Sequence, residues 1–425
     1  MTLPRVPRLR QGIFLLVFIA LPLVCVAGQA PVTFGWQANL DTVNTLSDPG
    51  TGPEVDMLDS ASLGFTLDHA LGRGIMSYRL GGQIQYAPQR IAAGAPAFSA
   101  ITAYPVETGL SYELPPPSLI GLWFRATLGR LALEEPTGLL LEDPTAVHET
   151  QLSDGLLLEF RLHGLYGSLG AGYLGLLDRR LNRVRFTPQD FMELADSSQY
   201  FAPSRGLAVL RLEAEDLFGG QSVGLFGIGQ KDFRGAPPTF DSWYMGTVVS
   251  GPIAFGFRHS TSVVAAIAVP SPGQPGLGIL LASQVAYRLP GNLLHEAWFS
   301  LIWASSQGGG LTGFPQLAGP PVSVDFAVPL TDIVSIELGI DTTLALPPAV
   351  TPLRVAFTSQ LLLEPSGQLP AGYSFRTAGP FVGTDLELSA RYEPIEGLRF
   401  DARAGTLITL SGVLPTVRLE GMVTL

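Results

Sequence analysis

Leu386-Glu-Leu-Ser-Ala-Arg-Tyr392-Glu-Pro394-Ile-Glu-Gly397-Leu-Arg-Phe-Asp-Ala-Arg-Ala404 decides the fold. Leu386, Leu388, Ala390 and Tyr392 alternate with Glu387, Ser389, Arg391 and Glu393. Beyond Pro394–Gly397, Leu398, Phe400, Ala402 and Ala404 alternate with Arg399, Asp401 and Arg403. Successive side chains of a strand point to opposite faces, so each run has one apolar and one polar face. Two such runs joined across a Pro/Gly turn read as an antiparallel hairpin.

The same alternation recurs along the chain. Met76, Tyr78, Leu80, Gly82, Ile84 and Tyr86 are interleaved with Ser77, Arg79, Gly81, Gln83 and Gln85. Val106, Thr108, Leu110, Tyr112 and Leu114 share a phase, as do Leu156, Leu158, Phe160 and Leu162 against Glu159 and Arg161, and Ala208, Leu210, Leu212 and Ala214 against Arg211 and Glu213. The last residues continue it, with Val417, Leu419, Gly421, Val423 and Leu425 opposed to Arg418 and Glu420. Strands of ~10–13 residues exceed the ~5–6 usual in globular proteins and match the ~9–11 of a tilted membrane strand.

Composition fits. The 425 residues are 46% hydrophobic and 14% charged, with 49 Gly and 35 Pro spread too evenly to mark a linker. A mean hydropathy of +0.31 excludes disorder, and the glycines lack the three-residue period of collagen. After the N-terminus no apolar run approaches a helical span; the longest, Val263 to Val269, stops at Pro270.

The N-terminus reads as an export signal. Arg5, Arg8 and Arg10 precede an apolar run from Ile13 to Ala20, then Leu21, Pro22 and the small residues Ala27, Gly28 and Ala30. Residues 1–28 are the expected signal peptide, cut between 27 and 30, leaving 31–425 as a single domain. Losing three Arg and no acid takes the formal charge from −11 to −14. So acidic a chain argues against a nucleic-acid partner, which would call for a basic face. Its one cysteine, Cys25, lies in the signal, which removes disulfides and thiolate chemistry from the mature chain.

Short turns are expected at Gly72–Arg73, Pro115–Ser118, Asp216–Gly220, Ser250–Pro252, Pro290–Asn292, Leu330–Asp332 and Pro394–Gly397. Longer polar segments alternate with them at 41–60, 133–151, 178–205, 232–241, 266–275 and 306–319. A propeller should show a blade-length repeat, and none is found.

Residues 31–425 therefore resemble a bacterial outer-membrane, porin-like β-barrel. The resemblance is one of pattern, without a diagnostic motif, and Leu425 stands where such families commonly end in Phe. It implies an all-β, closed antiparallel transmembrane barrel of roughly 16–20 strands, with short periplasmic turns and longer extracellular loops. It further implies outer-membrane lipid around the barrel and recognition of strand 417–425 by the barrel-assembly machinery. The expected function is passive passage of small hydrophilic solutes. The alternative is a closed barrel acting as an adhesin or structural surface protein through Glu134, Glu135, Glu142, Asp143 and Glu149.

Within that frame Arg79, Arg125, Arg161, Arg211, Arg391, Arg403, Glu159, Glu213, Glu387 and Asp401 are the candidate lumen residues, serving as cross-strand ion pairs, as a charged pore wall, or both. Tyr112, Tyr287 and Tyr392, each just before a short turn, are candidates for a periplasmic aromatic girdle. Arg179, Arg180, Arg183 and Arg185, followed by the helix-start pattern Thr187-Pro-Gln-Asp190, suggest a loop folded inward as a constriction.

No cofactor or metal site is expected. Gly170-Ala-Gly172-Tyr-Leu-Gly175 lacks the helix a dinucleotide fingerprint needs, so its glycines read as space for neighbouring side chains or a barrel bend. The five histidines form no metal-binding spacing. A lipid-acting barrel enzyme would need a His and a Ser two apart, and His259 is followed at that distance by Thr261.

Overall fold

The computed structural model describes residues 32–47, 54–71, 73–90, 98–105, 108–114, 121–141, 152–173, 185–186, 205–233, 239–288, 294–308, 311–312, 314–315, 332–344, 353–365, 380–395, 398–410 and 412–424. The strands are β1 (Val32–Ser47), β2 (Glu54–Leu71), β3 (Gly74–Arg90), β4 (Phe98–Pro105), β5 (Thr108–Leu114), β6 (Trp123–Ala132), β7 (Leu152–Leu162) and β8 (Leu165–Tyr173). Next come β9 (Arg185–Phe186), β10 (Arg205–Leu217), β11 (Gln221–Asp232), β12 (Thr239–Pro252), β13 (Phe257–Ser271), β14 (Gly276–Arg288) and β15 (Leu294–Ala304). The chain ends with β16 (Gln307–Gly308), β17 (Leu311–Thr312), β18 (Val334–Leu344), β19 (Leu353–Leu363), β20 (Phe381–Ile395), β21 (Leu398–Thr409) and β22 (Gly412–Thr424).

Pairing is antiparallel and returns to its starting point. β1 pairs with β2 along one edge and with β22 along the other, from Asn39↔Thr424 to Ser47↔Thr416. β4 and β5 both pair with β3 and share one place in the ring, while β9, β16 and β17 lie outside it, so the barrel has eighteen strand positions. Closure pairs both edges of the sheet, which lets the backbone face hydrocarbon without unsatisfied groups.

The two faces are inverted relative to a soluble protein. Outward-facing Met245 is 74% exposed, Trp36 57% and Leu338 57%, whereas inward Ser242 is 0%, Gln360 6% and Asp401 8% exposed. Apolar side chains outside and polar side chains inside are what a lipid-facing barrel requires.

The start of β1, the end of β22 and the facing ends of β2/β3, β5/β6, β7/β8, β10/β11, β12/β13, β14/β15, β18/β19 and β20/β21 lie at one end of the barrel. Apart from β4 and β5, which follow one another along β3, the opposite ends of the strands face the other end of the barrel, where most of the longer segments of sequence fall, as the sequence suggests.

Several boundaries differ. Leu330–Asp332 is not a short turn: Asp332 precedes β18 at the long-loop end, and Ile333 carbonyl accepts from Ala304 N at 2.8 Å. At the short-turn end β18 and β19 are instead neighbours from Leu344↔Leu353. The expected turn at Ser250–Pro252 falls later. Those residues stay paired with Ser260–Arg258, and the chain reverses at Phe255 and Gly256, both at positive φ. Strands also consume much of the polar segments 41–60, 232–241 and 266–275.

Inside the barrel, Gly109, Gly129, Gly155 and Gly172 oppose one another across β5, β6, β7 and β8. A Cβ on Gly155 would lie 1.9 Å from Ala171 O and 2.5 Å from Gly172 Cα, backbone atoms that cannot turn aside. Glycine here permits close approach of neighbouring strands at a bend in the wall. Gly155→Val is expected to destabilise the barrel by about 1–3 kcal/mol or more, read as loss of the heat-modifiable gel band.

Candidate functional site

The interior has two zones. Toward the short-turn mouth it is charged; toward the long-loop end one wall is apolar and covered by inward loops.

In the charged zone, register places all ten sequence-derived lumen candidates on the inward face. Arg125 lies opposite Glu159, their charged atoms 3.9 Å apart. Tyr166 donates to Glu159 Oε1 at 3.1 Å, and the guanidinium carbons of Arg161 and Arg211 stand 5.8 and 5.2 Å from its ring centroid. Arg211 pairs with Glu213 at 2.8 Å, and Arg161 with Glu215 at 3.6 Å. Across the barrel Asp401 accepts from Arg391 Nε at 2.6 Å, and its other oxygen forms an ion pair with Arg399, 2.6 Å away. Arg403 faces Ser389, and Glu387 faces Thr358 and Gly405. Arg79 faces Thr66 and Gly109.

The sequence does not single out the rest of this collar. Arg354 bonds Asp341, and with Arg258, Arg288 and Glu296 they line a cavity of about 210 Å³. Trp298 packs over Gly339 and donates to Glu337 Oε1 at 2.6 Å; Trp123 donates to Glu113 Oε1 at 2.9 Å. The collar mixes both signs of charge around the mouth.

In the apolar zone Leu207, Val209, Phe226, Ile228, Tyr244, Val264 and Leu280 face inward and are at most 5% exposed. They are covered by two loop segments. Residues 133–141 turn in from the end of β6, bringing Leu133, Leu140 and Leu141 into the cluster. The loop reaches deep, because the Cβ of Pro136 is 3.7 Å from the position a side chain on Gly224 would take, only four residues into β11.

Glu135 organises this knot and is 6% exposed. Its carboxylate accepts from Thr137 N at 2.5 Å, Thr137 Oγ1 at 2.6 Å and Leu140 N at 2.9 Å. Leu139 N donates to Thr137 Oγ1 and Gly138 N to Glu135 O, so the amides of 137–140 all have local acceptors. With these polar groups satisfied internally, the loop can be pressed against an apolar wall at a much reduced desolvation cost. Glu134 then ties the knot to the collar, 3.8 Å from Arg211.

The second segment is Phe314–Pro315. Phe314 is fully buried, 6.0 Å from the Tyr244 ring centroid in an edge contact, and Tyr244 OH donates to Pro315 O at 2.9 Å. Its backbone is held by Phe314 N to Ser305 O, and Ser305 by Ser305 N to Ile279 O. Tyr244→Phe removes the bond to Pro315, worth about 1 kcal/mol; the expected sign is added noise in single-channel current without loss of folded protein.

The inward knot differs from the sequence expectation. Arg179, Arg180, Arg183 and the helix-start pattern at 187–190 lie outside the described residues. Arg185 is in β9, which pairs Arg185–Phe186 with Ala100 and Ser99 of β4, so this connection between β8 and β10 reaches the edge of β4. Glu134 and Glu135, assigned to surface contacts in the alternative reading, belong to the knot. Glu142, Asp143 and Glu149 lie outside the described residues. A cue was present: Leu139-Leu140-Leu141 following Pro136-Thr137-Gly138 is too apolar for a loop meant for water.

Tyr112, Tyr287 and Tyr392 face outward near the short-turn end, Tyr287 with its ring 4.6 Å from that of Phe257. Gly170 and Gly172 face inward, where a Cβ would strike Leu133 Cδ2 at 2.4 Å and Ser153 Oγ at 2.4 Å. His259 lies on the outer face with Nε2 2.8 Å from Gln221 Oε1, while Thr261 is bonded to Ser283.

No protein-family model matches the chain, and no curated protein matches it. Solved structures do. OpdQ of Pseudomonas aeruginosa superposes with a TM-score of 0.58 at 14% identity, covering 92% of this chain and 98% of its own. OccK9 (OpdG) of the same organism gives 0.60 at 14%, with 92% and 98% covered. The outer membrane protein OprD, also from Pseudomonas aeruginosa, gives 0.56 at 12%, with 92% and 93% covered. The shared feature is the fold, over nearly the whole length of both chains.

Proposed function

We propose that the chain is an outer-membrane channel for passive passage of small hydrophilic solutes. One observation carries the reading: charged side chains on the inward face remain open to water, with Arg161 59%, Arg354 58% and Arg391 42% exposed. A barrel filled like a protein core would cover them. Water-exposed ions on an enclosed surface mean an aqueous lumen at the short-turn mouth, narrowed further in by the 133–141 knot and Phe314.

The mouth sorts solutes by fit more than by sign. Cations and anions are interspersed around it, so a solute carrying both a donor and an acceptor group meets partners of either kind. Lipid covers the outer face, and the girdle tyrosines mark its periplasmic boundary. Residues 1–28 direct export and are removed, and strand 417–425 is read by the assembly machinery. The described interior offers no nucleophile–base pair, and no catalysis is proposed.

Liposome swelling tests the reading. Vesicles containing the folded protein should swell in small sugars and zwitterionic amino acids, with rates falling as solute size rises. Vesicles that swell no faster than protein-free ones would favour the closed surface barrel.

A further inference from the structure

We propose that the β10–β11 and β12–β13 turns sink into the headgroup region of the periplasmic leaflet as an aromatic keel that anchors one arc of the rim. This rests on the outer-membrane reading above.

Phe218 and Phe255, one at the tip of each turn, are both 92% exposed. Beside them Ile253 is 57% and Leu217 37% exposed. The two turns form one surface, since Gln221 Nε2 at the end of the first donates to Pro252 O at the start of the second at 2.5 Å. The β12–β13 turn is closed by Ile253 N to Phe257 O at 2.9 Å and Phe257 N to Ala254 O at 3.0 Å. That closure holds Phe255 at φ +53°, a left-handed conformation that a bulky residue rarely adopts. Among the described residues nothing rewards it, because the displayed ring is 92% exposed.

Lipid is the occupant that fits. Phe257, next in the same alternating phase, faces outward and stacks on Tyr287 of the outer belt, so the patch runs unbroken into the hydrocarbon-facing surface. Aromatic rings favour the boundary between headgroup and chain. Among the other described residues at this end, the tips Arg73 and His163–Gly164 are polar or small, and Ile395 beside the β20–β21 turn is aliphatic; no other described tip carries an exposed aromatic ring. The aromatic part of the anchor is therefore, among the described turns, confined to this arc.

The test uses spin labels, which the cysteine content makes simple. With Cys25 replaced by Ser, single cysteines are placed at Phe218→Cys, Phe255→Cys, Leu388→Cys in the middle of the outer belt, and Arg73→Cys at another turn. After a heat-modifiability check for folding, collision with oxygen and with a neutral nickel chelate is compared in phosphatidylethanolamine–phosphatidylglycerol vesicles. Leu388 should strongly favour oxygen, Arg73 the nickel chelate, and Phe218 and Phe255 oxygen by an intermediate margin. Either phenylalanine position matching Arg73 would overturn the keel and leave that tip available to a periplasmic protein. Leu388 matching Arg73 would sink the membrane barrel itself. The two keel positions lie in separate turns, so misfolding of one variant leaves the other to decide.

Discussion

Replacing 134–141 by a short Gly-Ser link is expected to raise single-channel conductance several-fold in planar bilayers. The knot is the deepest inward structure among the described residues, and its removal exposes the wall at Val209, Phe226 and Ile228 instead of Leu140 and Leu141. A smaller change tests the cause. Glu135→Ala leaves the Thr137 and Leu140 donors without their acceptor, at about 1–3 kcal/mol for each buried group. The knot should then sample positions off the wall, giving a raised mean conductance with flickering current. Unchanged conductance in the deletion variant would mean that the narrowest passage lies elsewhere.

The second large effect is expected at Asp401. It accepts from Arg391 Nε at 2.6 Å and forms an ion pair with Arg399 while itself 8% exposed, with side-chain exposures of 42% for Arg391 and 30% for Arg399. Breaking a buried pair costs about 3–5 kcal/mol, and partial solvation of both guanidinium groups reduces this to about 1–2 kcal/mol. Asp401→Asn should lower the urea midpoint accordingly. It also adds one net positive charge to the mouth, so the reversal potential in a KCl gradient should move toward anion selectivity. A lowered midpoint with an unmoved reversal potential would assign Asp401 to the wall's stability alone.

Much of this was legible from alternation. A period of two tells which residues share a face without knowing their partners, so Arg79, Glu159 and Asp401 could be assigned to one side of their strands from sequence. Which charges meet is set by register: Arg125 with Glu159, or both Arg391 and Arg399 with Asp401, is fixed only when strands are aligned. Turn positions slipped where local chemistry pulled two ways. Gly251-Pro252 looks like a turn, yet both remain paired while Phe255-Gly256 reverses the chain. The knot was hidden for a different reason. Glu134 and Glu135 read as solvated loop charges until the wall they press against is known, and Leu140 has no periodicity to announce it.

The reading rests on an aqueous path through the barrel, and current through a planar bilayer tests that most directly. Purified protein, shown folded by its heat-modifiable band, should insert in discrete, long-lived conductance steps that scale with salt concentration. Folded, membrane-inserted protein that passes no current would contradict it.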